Sequence, residues 1–121
     1  LEAAKREDLQ HIGARLLAAA DALTASTEWL LDAASKGQSA VLAGATPYLK
    51  QFGNVAGGYY LAQGAKAAAL YINEGEDPDY YGAKIAIAHF YADNYLAEAV
   101  GLGDSITAGA LPRLDPGKLT A

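Results

Sequence analysis

Apolar residues recur every three or four positions from Ala3 to Ser35, which is the spacing of an amphipathic helix. Ala, Leu, Glu and Lys fill the positions between them and favour the same structure. Lys36-Gly37 predicts the end of this helix, because a cation stabilises the last turn and glycine can follow it in a left-handed conformation. The predicted core positions are Leu9, Ile12, Leu16, Ala19, Leu23, Leu30 and Ala34.

A second apolar pattern runs from about Ser39 to Ile72 and contains Pro47, which cannot donate a backbone hydrogen bond inside a helix. Two structures fit this pattern. Either one helix bends at Pro47, or a short helix ends near Gly44 and a new helix begins with Thr46 as its N-cap. We favour the second structure. The predicted core positions beyond the proline are Leu49, Phe52, Ala56, Tyr59 or Tyr60, and Ala67.

Three glycines in this second segment, Gly53, Gly57 and Gly64, remove side chains from one region of its surface. Glycine costs about 1 kcal/mol inside a helix relative to alanine. The glycines therefore predict that another helix backbone packs closely against this region.

A third helix is predicted to begin at Asp77-Pro78, where Asp supplies the N-cap and Pro the first helical residue. Its apolar positions alternate steps of four and three residues, which is typical of helices that pack nearly antiparallel in a bundle. The predicted core positions are Tyr81, Ile85, Ala88, Ala92, Tyr95, Ala99, Leu102 and Ile106.

These patterns predict an all-α fold, because no stretch alternates apolar and polar residues as a strand does. We expect an elongated up-down bundle of three long helices over residues 1–110, with a short extra helix before Pro47. Residues 111–121 contain two prolines and are expected to form an extended tail. Because alanine occupies many seam positions, the core is thin, and we expect it to need a partner surface for full stability.

The composition narrows the possible partners and the cellular location. The 121 residues include no Cys, which excludes disulfides and thiolate metal sites and predicts a cytoplasmic location. Nine basic residues are scattered among fourteen acidic ones, for a net charge of −5, which argues against a nucleic-acid partner. Every apolar stretch is interrupted by polar residues, so no membrane span is expected. Since the chain begins at Leu1 and contains no Met, we expect it to be a fragment of a longer protein.

The string GDSITAG, from Gly103 to Gly109, resembles the first block of the GDSL-type esterases, in which the serine is the nucleophile. That chemistry needs the serine at the end of a strand and a following Asp-x-x-His pair. Here a helix precedes Ser105, and the short remainder of the chain contains no His. We therefore predict no esterase activity.

The other chemical patterns also predict no site. The glycines at 53–58 and 101–103 do not follow a strand, as a dinucleotide-binding loop requires. His89 and Asp93 share a helical face, and Asp8 lies three residues before His11. A di-metal centre in a bundle needs a Glu three residues before each His, however, and position 86 is Ala. We expect no catalytic, cofactor-binding or metal-binding residue in this chain.

Two groups of large side chains are candidates for contact with another domain or subunit. Trp29, Leu30 and Leu31 stand in a row near the end of the first helix, and three such neighbours cannot all face one core. Eight tyrosines also occur in the chain, all on the second and third helical segments, and bundles usually place Tyr at the rim of a seam. We predict Trp29, Leu30, Tyr59 and Tyr60 as interaction residues.

Two strings resemble the C-terminal extension of long bacterial acyl-CoA dehydrogenases, the acetyl-CoA dehydrogenase-like C-terminal domain. They are LAGATPYLKQFGNVAGGYYLA, from Leu42 to Ala62, and YGAKIAIAHFYA, from Tyr81 to Ala92. A Trp near the end of the first helix adds to the resemblance, which covers about residues 16–111. These are packing motifs, so they identify the domain and indicate nothing about chemistry within it.

The resemblance implies a parent flavoprotein of fatty acid metabolism that removes hydrogens from the α and β carbons of an acyl-CoA thioester. In that family a carboxylate takes the α proton, FAD accepts the β hydride, and an electron-transfer flavoprotein reoxidises the flavin. No residue here matches the family's base or flavin site. The domain would pack against the dehydrogenase core of the same polypeptide or of a partner subunit in the oligomer. The alternative is a free-standing helical scaffold or adaptor with no enzymatic role.

Overall fold

The computed structural model describes the backbone of residues 2–107 and the side chains of residues 5–37 and 41–107. Every long element in this part of the chain is helical and none is a strand, which confirms the all-α fold. The third helical segment contains one π-helical turn between two α-helices. The elements are α1 (Glu2–Lys36), α2 (Gln38–Asn73), α3 (Pro78–Tyr91), the π segment (Ala92–Leu96) and α4 (Ala97–Thr107). The predicted tail, residues 111–121, lies outside the described residues.

The two turns between the long helices form where the sequence predicts them. Gly37 has a φ of +147°, which disfavours other residues, and its N–H donates to the carbonyl of Ala33. At the start of α3, the Asp77 carboxylate accepts hydrogen bonds from the backbone N–H groups of Asp79 and Tyr80, and Pro78 is the first helical residue. Both helix ends are thus set by local chemistry.

The segment around Pro47 differs from the favoured prediction. α2 runs without interruption from Gln38 to Asn73, so the short separate helix before Pro47 is wrong and the single-helix alternative is right. Residues on both sides of the proline are held by the bundle. Gly44 packs against Leu30 and Ile106, and the Gln51 side chain donates to the carbonyl of Ala99. These contacts offset the loss of one helical hydrogen bond at Pro47.

The three long helical segments run up, down and up. Leu30, near the end of α1, lies beside Gly44 near the start of α2, so these two helices are antiparallel. Tyr71, near the end of α2, pairs its ring with Tyr81 near the start of α3, at 5.0 Å between centroids. The third segment is therefore antiparallel to α2 and parallel to α1, which confirms the predicted helical bundle.

The core is built mainly from small side chains, with seven alanines among the buried apolar residues of the central cluster. On α1, Ala33 and Ser26 are buried, whereas the predicted core residue Ala34 is exposed. Leucines of α1 flank the cluster and are only partly buried. The cluster contains Ile12, Ala19, Val55, Ala65, Ala68, Ala69, Ile85, Ala88, Ala92, Leu96 and Ala99.

The predicted core face of α2 is wrong by about one position. Gln51, Val55 and Gly58 are buried, and Ala65, Ala68 and Ala69 continue the same face. Of the residues predicted for the core, Ala56 is half-buried and the others are exposed. The exposed ones are Leu49, Phe52, Tyr59, Tyr60 and Ala67. Apart from Gln51, the inner face carries small residues, because α2 contacts both other helical segments there.

One predicted core position of the third helical segment is wrong, and it lies in the π segment. Tyr95 was expected inside and is 44% exposed, whereas Leu96 is buried in its place. A π turn adds a residue to the helical repeat, so the buried face moves on by one position. Of the other predicted positions, Ile85, Ala88, Ala92, Ala99 and Ile106 are buried, while Tyr81 and Leu102 are partly buried.

The prediction that a helix backbone packs against Gly53, Gly57 and Gly64 is not met as stated. The space beside Gly57 is filled by a side chain instead, because an added Cβ there would lie 2.5 Å from the Tyr91 hydroxyl. Cβ atoms at Gly53 and Gly64 would meet nothing within 4 Å, so the prediction is wrong there. Gly58, which was not predicted to be in close contact, packs closely against Leu96, whose Cδ2 would lie 2.5 Å from an added Cβ.

Candidate functional site

A groove of about 630 Å³ lies between α1 and α2. One wall is made by apolar residues of α1 and the other by residues of α2. We call it the α1–α2 groove. Its lining residues are Gly13, Leu16, Leu17, Ala20, Leu23, Phe52, Val55, Ala56, Tyr59 and Tyr60.

The rim of the α1–α2 groove exposes large apolar side chains to solvent. Leu17 is 64% exposed, Phe52 53% and Tyr60 75%. The rings of Tyr59 and Tyr60 contact each other edge to face, at 5.7 Å between centroids. A contiguous exposed apolar surface of this kind is typical of sites that contact another protein surface. Both predicted tyrosines therefore lie together on the groove.

The other two predicted interaction residues lie away from the groove and are partly buried. Leu30 points toward Gly44, where an added Cβ would be 3.1 Å from its Cδ2, so it takes part in packing α1 against α2. Trp29 is half-buried, and Leu31 is 69% exposed. As expected, the three neighbours do not share one core. An interaction role for Trp29 and Leu30 stays a prediction.

Tyrosine hydroxyls and one ion pair link α2 to its neighbours near the groove. The Tyr48 hydroxyl lies 2.7 Å from that of Thr27, and the Tyr91 hydroxyl donates to the carbonyl of Asn54 at 2.8 Å. Partial burial raises the pKa of Tyr91. Lys50 pairs with Glu98 at 2.8 Å, and the hydrogen bond between them lowers the pKa of Glu98 and raises that of Lys50. These contacts fix the position of α2 relative to α1 and to the third helical segment.

The esterase-like string is helical up to Thr107, with Ser105 exposed and Ile106 buried in the core. Residues 108 and 109 of the string lie outside the described residues. His11 and His89 both lie beside Asp93, which is roughly three helical turns before Ser105 on the same segment, so neither imidazole reaches this serine. The arrangement offers no base that could activate this serine.

Comparison with known proteins agrees with the resemblance read from the sequence. The family model described as "Acetyl-CoA dehydrogenase C-terminal like" matches residues 1–115. The chain belongs to this family. It is also 33% identical over 109 residues to the 3-methylmercaptopropionyl-CoA dehydrogenase of Ruegeria pomeroyi, an alignment covering 84% of this chain and 18% of that enzyme. No solved structure matches the chain significantly.

Membership of the acetyl-CoA dehydrogenase C-terminal-like family makes this chain a domain of the acyl-CoA dehydrogenase family and disfavours the free-standing scaffold. The chain spans only about a fifth of the length of its curated relative. Within residues 2–107, none of the helices is both long and apolar enough to cross a membrane.

One polar cluster of this family member was missed by sequence reasoning. His11 of α1 bonds Asp93 of the π segment, with 2.5 Å between Nε2 and Oδ1, and this contact lowers the pKa of Asp93. His89 lies 3.5 Å from Asp93 and 3.6 Å from Asp8. The sequence showed the pairs Asp8/His11 and His89/Asp93 separately. Only the parallel packing of α1 and α3 joins them into one cluster.

Proposed function

We propose that this chain is the non-catalytic docking domain of a flavin-dependent acyl-CoA dehydrogenase, and that it binds the dehydrogenase core of the same polypeptide through the α1–α2 groove. The observation that carries the proposal is the exposed apolar rim formed by Leu17, Phe52 and Tyr60. Such residues cost solvation free energy when they remain in water and recover it when a partner covers them.

The dehydrogenase core is the occupant that best fits the groove. The chain spans 18% of its curated relative, so a protein of that length would have a much larger body to which this domain is joined. A groove lined by apolar residues and two tyrosines suits the interior of an interface between domains, where aromatic residues are enriched and charged residues are depleted. A covalently joined partner also needs little intrinsic affinity, because its effective concentration is high.

The parent reaction would be the α,β-dehydrogenation of an acyl-CoA thioester. FAD and the base that removes the α proton would reside in the core, and an electron-transfer flavoprotein would reoxidise the flavin. Among the side chains of residues 5–37 and 41–107, we find no nucleophile paired with a base. The domain would contribute to assembly and stability of the enzyme. A cytoplasmic location stays a prediction.

Hydroxyl-radical footprinting tests the docking surface on the full-length enzyme. Oxidation of Phe52, Tyr59 and Tyr60 should be markedly lower in the full-length protein than in the 121-residue chain alone. Tyr80 is the matched control, because it is 55% exposed and lies on α3 outside the groove, and its oxidation should stay unchanged. Equal oxidation of Tyr60 in both proteins would contradict the proposal. Selective protection of Trp29 and Leu31 would move the interface to the other end of α1.

A matched pair of variants sharpens the result. Tyr60→Ser and Tyr80→Ser each remove one exposed ring, and Tyr and Ser have similar helix propensities. Tyr60→Ser should restore oxidation of Phe52 in the full-length enzyme, whereas Tyr80→Ser should not. The isolated chain should also purify colourless, and bound flavin would contradict the assignment of the FAD site to the core.

A further inference from the structure

Both histidines of the chain meet at one place in the fold, between α1 and α3. The ring centroids of His11 and His89 are 4.6 Å apart, and the rings are edge to face. Asp93 lies one turn after His89 on the same side and reaches both rings. One potential ligand atom from each of these three residues lies within 4.8 Å of the other two.

We propose that His11, His89 and Asp93 bind one divalent transition-metal ion, best matched by Zn²⁺, which links α1 to the third helical segment. Two imidazole nitrogens and one carboxylate oxygen form a donor set that suits Zn²⁺. Ca²⁺ and Mg²⁺ prefer oxygen ligands throughout and fit this site poorly. The proposal replaces the sequence-based expectation of no metal, which counted ligands for a di-metal centre only.

The distance between one pair of ligand atoms is close to that which a tetrahedral zinc ion requires, and a second pair lies closer together than that. Zinc lies about 2.0–2.1 Å from its nitrogen and oxygen ligands, so two ligand atoms are about 3.4 Å apart. His89 Nε2 and Asp93 Oδ2 are 3.5 Å apart. His11 Nε2 and Asp93 Oδ1, now hydrogen-bonded, would have to separate by about 1 Å to admit the ion. Because all three side chains are only half-buried, small rotations achieve this without disturbing the core.

Asp8 supports the site from the far side of one ring. Its Oδ1 lies 3.6 Å from His89 Nδ1, while His89 Nε2 faces Asp93. A histidine that binds a metal usually presents its other ring nitrogen to a carboxylate, which fixes the ring and raises its basicity as a ligand. The Asp8 carboxylate occupies this position. A chance meeting of surface side chains would not require an acid on the second nitrogen.

Arg15 is the group that opposes the metal. Its Nε lies 3.4 Å from Asp93 Oδ1, so it competes for the same oxygen and places a positive charge beside the ion. Arg15 is 46% exposed at its side chain, which allows it to move aside into solvent. Removal of Arg15 should therefore strengthen metal binding. If the cluster were held only by ion pairs, the same removal would weaken it.

Calorimetric titration of the metal-free protein with ZnCl₂ tests the site. The wild type should bind one equivalent of Zn²⁺, and His11→Gln, His89→Gln and Asp93→Asn should each abolish saturable binding. Asp8→Asn should weaken binding about 10–100-fold, the usual effect of losing a carboxylate behind a ligating histidine. Arg15→Gln should bind a few-fold more tightly. Asp21→Asn, an exposed substitution elsewhere on α1 with the same change of charge, is the matched control and should bind as the wild type does.

A measurement on the wild type alone tests the site even if one of the variants fails to fold. In NMR spectra, the ring protons of both histidines should shift together and saturate at one equivalent of Zn²⁺. Failure of the wild type to bind, independent shifts of the two rings, or unchanged binding by both histidine variants would overturn the proposal.

Discussion

The two faces of α2 differ in a way that hydrophobicity alone would not predict. The inner face carries Gln51, Val55 and Gly58, which are buried, and the outer face carries Phe52, Tyr59 and Tyr60, which are exposed. The more hydrophobic and aromatic face is thus the one in contact with solvent. In this helix, the bulk of the aromatic side chains, rather than their hydrophobicity, determines that they lie outside.

The physical reason lies in the close packing of three helical segments. Gly58 leaves room for Leu96, and Gly57 for the Tyr91 hydroxyl, so the third segment approaches α2 closely. A Tyr or Phe on the inner face would force the helices apart and empty the space around the buried alanines. The large residues are therefore placed outside, where a partner surface can bury them.

The largest expected effect on stability comes from a buried residue that packs against the inner face of α2, compared with an exposed residue on its outer face. Leu96 is 1% exposed and fills the space above Gly58. Leu96→Ala should lower the free energy of unfolding by about 2–5 kcal/mol, because it leaves a cavity. Tyr60→Ser, at a position 75% exposed, should change it by less than about 0.5 kcal/mol. Urea denaturation of the 121-residue chain followed by circular dichroism measures both values. Equal losses would show that the outer face also belongs to the core.

The parts of the fold that sequence reasoning predicted correctly depend on local chemistry. Gly37 and Asp77-Pro78 set helix ends through their own backbone conformation and hydrogen bonds, so the boundaries could be read from neighbouring residues. The buried face of α2 could not, because its outer face carries an equally helical apolar spacing. The continuity of α2 through Pro47 also depends on distant partners, Leu30 and Ala99, that stabilise both sides of the proline.

The α1–α2 groove and the histidine cluster also depend on contacts between residues that are distant in the sequence. Tyr59 and Tyr60 were predicted as interaction residues from their type, but the groove beside them needs Leu17 of α1, which no spacing within α2 reveals. His11 and Asp93 are 82 residues apart in the chain and meet at 2.5 Å. The π segment carries Asp93, and the sequence gives no signal for the extra residue in that turn. The residue types of both sites can be recognised in the sequence, whereas their arrangement depends on how the helices pack.

A second pair of variants isolates the effect of size on the inner face. Gly58→Ala places a Cβ 2.5 Å from Leu96, while Gly64→Ala places one in open space. Both changes gain about 1 kcal/mol of helix propensity, but overpacking at Gly58 should cost about 1–3 kcal/mol. Gly64→Ala should therefore be more stable than Gly58→Ala by about 1–3 kcal/mol in urea denaturation. Two equally stabilised variants would mean that Leu96 yields freely and that size does not sort the faces.

The smallest expected effect lies at the border between the two faces, where Lys50 and Glu98 form an exposed ion pair. The hydrogen bond from Lys50 lowers the pKa of Glu98 below its usual value of 4.5. A lowered pKa in the folded state stabilises the fold above the unfolded pKa, and this contribution disappears as pH falls through the folded pKa. The melting temperature of the wild type should therefore exceed that of Glu98→Gln slightly at neutral pH, and the difference should vanish in acid.

Salt separates this contribution from the packing of the inner face. Because both partners are in contact with solvent, added NaCl should shrink the difference between the wild type and Glu98→Gln at neutral pH. Glu28→Gln removes the same charge at an exposed position of α1 and provides the matched control. A difference that persists in acid and in high salt would instead assign Glu98 a packing role, through its contact with Asn54 beside the inner face.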